Sequence, residues 1–61
     1  MKKPSPTQLA VLRHLAAGNT SPGSRRPEGM RPPVYAKAEL ACRLNGWKTL
    51  DELTEAGKEL I

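Results

Sequence analysis

The sequence predicts a mainly α domain of about three short helices, and three observations predict it. Apolar residues recur at helical spacing in two stretches, each bounded upstream by proline and downstream by glycine. Between them, residues 18–33 hold four prolines and three glycines, a composition that excludes a regular helix or a central strand. A third short stretch, 54–60, follows a potential helix cap at Thr54. Sixty-one residues make one domain, 1–61, and a chain of this size buries only about 60% of the surface its unfolded form exposes. With no Phe, one Trp and one Tyr, its core has to come from Leu, Val and Ala around Trp47.

The first helix, 6–17, has a defined start. Ser5 is suited to the N-cap, Pro6 to the first helical position, and Gln8 completes a capping box. Leu9, Val11, Leu12, Leu15 and Ala16 then share one face, and Gly18 can take the left-handed conformation that ends a helix. Residues 1–4 form a basic tail with Lys2 and Lys3. His14, the only histidine, lies on the polar side with no partner at helical spacing, so it reads as a surface residue rather than a catalytic base.

A loop as long as 18–33 is unusual in so small a domain. Arg25, Arg26 and Arg31 make it cationic. It is either a flexible, solvated connector or a segment that follows phosphates and orders on binding.

The second helix, 34–45, starts after Pro32 and Pro33 and stops at Asn45–Gly46. Val34, Ala38, Leu40, Ala41 and Leu44 fall on one broad face, whose alanines suit close approach to another helix. Tyr35, Glu39 and Arg43 line the other at i, i+4 and i+8, free to meet solvent or a partner; a Glu39–Arg43 pair there adds about 0.2–0.5 kcal/mol. Trp47, just past the stop, is expected to anchor the hydrophobic cluster, with Cys42 as a small core residue.

The closing stretch 45–61 admits two readings. As one helix, Thr49 caps it and Leu50, Leu53, Gly57 and Leu60 form its stripe, with Gly57 costing about 1 kcal/mol relative to Ala. As a broken segment, residues 47–50 are strand-like and Thr54 caps a helix to Leu60.

The order of these elements resembles small winged helix-turn-helix proteins, many of them encoded by phages and prophages. Thr7, Leu12, Leu15, Ala16 and Gly18 match the first helix of that pattern, with Gln8 displaced by one place. Leu44, Gly46 and Trp47 match the end of its second motif, and Leu53, Thr54, Glu55, Ala56, Gly57, Lys58 and Leu60 match the entry to its last helix. The resemblance favours the broken reading and implies a minimal winged-helix-like domain with a vestigial wing. Two departures stand out. The proline-rich loop replaces the helix that family members usually carry between these motifs. Only "KTLDE" is left for the wing, with Asp51 and Glu52 making its tip acidic.

Composition narrows the function. Net charge is +4, distributed as +3 over residues 1–17, +2 over 18–33, +1 over 34–46 and −2 over 47–61. Such a split suits a protein that offers one surface to a polyanion and turns the other away. One Cys and one His form neither a disulfide nor a zinc site, and a lone thiol suits a reducing compartment. No apolar run is long enough for a signal peptide or a membrane span, so a cytoplasmic location is expected. No constellation for catalysis, metal or cofactor is present, so no enzyme is expected; the acidic run at Asp51, Glu52, Glu55 and Glu59 reads as a solvated face.

By the resemblance, helix 34–45 stands where a recognition helix stands. The implied function is DNA binding, as in a phage-type transcriptional regulator. Tyr35, Lys37 and Arg43 would meet base edges or phosphates, Arg25, Arg26 and Arg31 the backbone, and Lys2 and Lys3 would add a non-specific arm. A homodimer would add specificity, though nothing in the sequence requires one. The alternative is a protein-interaction module on the same scaffold without DNA binding, as in a phage-encoded adaptor or inhibitor.

Overall fold

The structure, a computed structural model, describes residues 3–21, 23–50 and 52–61. Among the described residues there are three helices: α1 (Pro6–Ala16), α2 (Pro32–Leu44) and α3 (Glu55–Glu59). No strand is present among the described residues. The mainly helical expectation holds, and the single closing helix does not.

α1 begins as its sequence dictates. The Gln8 amide donates to the Ser5 hydroxyl at 3.2 Å, and the Ser5 amide donates to Gln8 Oε1 at 3.0 Å, which completes the capping box. The helix ends one residue early, with Ala17 as C-cap and Gly18 at φ 99°. Gly18 N–H donates to the Leu15 carbonyl, and the Asn19 side-chain amide reaches the His14 carbonyl at 2.9 Å. Two of the helix's free carbonyls are satisfied in this way.

α2 begins two residues earlier than predicted, because Pro32 and Pro33 are its first turn rather than its barrier. Proline costs nothing there, where its missing N–H would have no partner in the helix. The other end closes as a Schellman turn: Trp47 N–H donates to the Cys42 carbonyl and Gly46 N–H to the Arg43 carbonyl, both at 3.0 Å, with Gly46 at φ 77°. That turn swings Trp47 back under the helix.

The chain then makes one antiparallel bridge, Lys48 to Leu53, and a tight reversal in which Thr49 N–H donates to the Glu52 carbonyl at 2.7 Å. Asp51, expected at the tip, lies outside the described residues. Thr54 is extended (φ −85°, ψ 171°) and breaks any helix running through it. Its hydroxyl accepts the Gly57 N–H at 3.2 Å and donates to the Gly46 carbonyl at 2.6 Å, tying α3 to the end of α2. Thr54→Ala is expected to cost about 1–2 kcal/mol in urea denaturation and Thr54→Ser much less, since serine keeps both bonds. Equal losses from the two would show that the methyl, not the hydroxyl, matters.

The core is small. Leu12, Cys42 and Trp47 form its centre, Leu53 and Leu60 pack against it, and Val11, Leu15 and Ala38 are also buried. On α1 the predicted face is correct at Val11, Leu12 and Leu15, whereas Ala16 is exposed. On α2 the predicted face is rotated away from the core: Ala38 is buried, but Val34, Leu40 and Leu44 are exposed, Leu44 by 79%. Small residues explain the rotation. Ala38 and Cys42 let α2 lie close against α1, with the Cys42 thiol near the Gln8 carbonyl, and bulkier leucines are left outside.

Candidate nucleic-acid interface

Tyr35, Glu39 and Arg43 come together as their spacing predicts, but not as a free face. The Tyr35 hydroxyl donates to Glu39 Oε2 at 3.0 Å, and Arg43 Nη2 lies 3.2 Å from Glu39 Oε1. A third partner, Lys48, was not foreseen. Its ammonium lies 3.6 Å from Glu39 Oε2 and donates to the Leu50 carbonyl at 3.3 Å, and the residue is only 3% exposed. The expectation that this side of α2 is open therefore fails: Tyr35 and Glu39 are half-buried, Tyr35 beside Arg25 and Arg26 of the loop and Glu39 beneath Lys48. No spacing rule links Lys48 to Glu39, because the Schellman turn intervenes and brings them together.

Burial pushes the Lys48 ammonium below the usual lysine range, and the Glu39 carboxylate opposes that. The Tyr35 phenol is pushed up to about 12 by burial first, then by its hydrogen bond to Glu39 and that carboxylate's charge; Arg25 and Arg43 pull the other way. Burial likewise raises the Cys42 thiol, which suits an inert core residue. Tyr35 is the only tyrosine, so its titration can be read directly by ultraviolet absorbance. The expected midpoint is near pH 12, and Glu39→Gln should lower it while leaving it above 10, because burial remains. A raised folded pKa means that stability from the neutral phenol is complete below pH 10 and is lost between 10 and 12. A wild-type midpoint near 10 would show that neither the burial of the phenol nor its contact with Glu39 persists in solution.

The proline-rich segment folds into successive turns. Thr20 N–H donates to the Gly18 carbonyl, Ser24 N–H to that of Ser21 and Met30 N–H to that of Pro27. His14 is half-buried rather than free on the surface, its Nε2 2.6 Å from the Ser24 carbonyl. This contact holds the loop against the end of α1. Arg25 Nε donates to the Thr20 carbonyl at 2.9 Å, and Arg26 Nη1 to the Met30 carbonyl at 2.8 Å. Each guanidinium thus spends one donor on the loop and keeps others for a ligand.

The predicted site residues divide between two sides of α2. Arg25 and Arg26 line a shallow depression with Pro32, Tyr35 and Glu39, and Arg43 joins them through Glu39. Arg31 caps α2 through its backbone and borders the neighbouring depression with Val34 and Met30. Lys37 lies elsewhere, beside Ser5, Thr7 and Gln8 of the α1 start. Lys3 is exposed ahead of α1, and Lys2 lies outside the described residues. Among the described residues no group of acidic, histidine or cysteine side chains is placed to hold a metal ion, and no helix is long and apolar enough to cross a membrane. No known protein family, no characterised protein and no solved structure matches this chain.

Proposed function

We propose that this chain binds the phosphate backbone of DNA through a cationic surface made by Arg25, Arg26, Arg31 and Arg43. One observation carries the reading: Glu39, the only acid of α2, is turned inward and shared between buried Lys48 and the partly exposed Arg43, so it leaves Arg25, Arg26 and Arg31 without an acidic partner on this helix. The exposed acids Glu52, Glu55 and Glu59 sit in the closing stretch, and only Glu28 interrupts the basic region. A polyanion approaching α2 from the loop side meets guanidinium groups and little opposing charge. The winged-helix resemblance supports the same reading, as it places α2 at the recognition position. Contacts are phosphate-directed rather than base-reading, since Leu40 and Leu44 occupy outward α2 positions where base readout needs hydrogen-bonding side chains. Regulation of transcription by a phage-type protein is the biological role this binding suits.

The test is an amide NMR titration of the labelled protein with a short duplex of random sequence at low and moderate salt. Signals of residues 24–31 and 35–43 should shift at low salt and return as salt rises. No movement at low salt would end the DNA reading. A second reading, a protein-interaction module, is favoured by the same exposed Leu40 and Leu44, and its contacts would persist at the higher salt.

A further inference from the structure

Two surfaces of the chain are left incomplete, and they are complementary. The first is the outer stripe of α2, where Lys37, Leu40, Ala41 and Leu44 follow one another at i, i+3, i+4 and i+7. Leu40 is 48% and Leu44 79% exposed, in a domain with six buried apolar residues among those described. Lys37 heads the stripe, and no exposed acid lies on α2 to answer it. The second is a depression of about 380 Å³ between the end of α1 and the closing stretch. Leu15, Leu53 and Ile61 line it, with Glu52 and Lys58 at its edge. Lys58 is already within 3.9 Å of Glu55, so Glu52 is the charge left for a ligand.

We propose that these surfaces meet between two copies of the chain, with Leu44 of one entering the Leu15–Leu53–Ile61 depression of the other and Lys37 facing Glu52. An antiparallel pairing of the α2 stripes would set Lys37 against Leu44 of the other copy, and a parallel one would oppose lysine to lysine, whereas this contact joins apolar to apolar and cation to anion. A two-fold pair of copies makes the contact twice; a single contact leaves one surface open at each end. Neither Arg25 nor Arg26 takes part, so self-association and DNA binding are separable properties.

Sedimentation velocity across the micromolar to millimolar range tests this, with circular dichroism to verify the fold. The wild type should associate as concentration rises. Leu44→Ser should remain a monomer with an unchanged spectrum, because the side chain it removes is 79% exposed within one copy. Lys37→Glu and Glu52→Lys should each weaken association alone. Their mixture restores both charge pairs of the two-fold arrangement and should associate at least as well as the wild type. A wild type that stays monomeric throughout overturns the proposal, as does association that survives Leu44→Ser or a mixture no better than its parts. A monomer whose Leu44 signals move only on addition of an acidic, leucine-containing peptide would assign the face to a different protein, which also overturns it.

Discussion

Gly57→Ala is expected to destabilise the domain by about 3 kcal/mol or more, against the direction that helix propensity predicts. In an ordinary helix interior the change would stabilise by about 1 kcal/mol. Here a Cβ on Gly57 would run into the carbonyl oxygen and carbon of Trp47, with Leu53 Cδ2 3.2 Å away on the same side. The obstacle is backbone, and it is held from both directions. Trp47 N–H is bonded to the Cys42 carbonyl in the Schellman turn, and the Trp47 carbonyl accepts the Thr54 N–H at 3.1 Å. Relief requires α3 to lift off, which would uncover Leu53 and Leu60 and expose one side of Trp47. A domain of this size has roughly 3–9 kcal/mol in all, so the variant should be largely unfolded. Urea denaturation followed by Trp47 fluorescence measures it, with Gly23→Ala as control, since open space surrounds Gly23. If Gly57→Ala is as stable as the wild type, α3 does not sit on Trp47 as described.

Gly57 also shows where the sequence is legible and where it is not. Its neighbours Leu53, Thr54 and Glu55 announce a cap and a helix start, signals that act within four residues. The reason for glycine lies ten residues away, in the carbonyl of Trp47. α1 is readable for the same local reason, because Ser5, Pro6 and Gln8 form the capping box among themselves. α2 is readable as a helix and misread as a surface. Counting apolar residues places Leu40 and Leu44 inward, but how closely α2 can approach α1 is decided by the small Ala38 and Cys42. The side that was expected to be free is closed by Lys48, brought there by a turn whose geometry no periodicity encodes. For the candidate interface, the Tyr35–Glu39–Arg43 alignment follows from helical spacing. The separation of Lys37 from Arg43 follows from helical spacing too, whereas its separation from Arg25 and Arg26 follows only from how the loop folds, through contacts such as His14 to Ser24.

Reversing Arg25 and Arg26 to Glu together should abolish DNA binding at moderate salt while the helices remain. If Arg25, Arg26, Arg31 and Arg43 each neutralise one phosphate, the slope of log affinity against log salt is about −3.6, which amounts to a fall of about 150-fold between 50 and 200 mM salt. The double reversal removes two of those contacts and sets two carboxylates against the backbone, so the slope should drop to about −1.8 or binding should vanish. Both side chains also hold the loop, through the Thr20 and Met30 carbonyls, and a loss of binding could then reflect a displaced loop. Lysine at the same two positions separates the causes. Arg25→Lys with Arg26→Lys keeps the charge but loses the planar fork that bonds the loop and a phosphate together. A phosphate-directed surface should retain most of its salt slope in the lysine pair and lose it in the glutamate pair. Should the lysine pair fail as completely as the glutamate pair, the arginines act by shaping the loop. Should the glutamate pair still bind with the wild-type slope, the cations that touch DNA are others, with Lys3 and Lys37 next to be reversed.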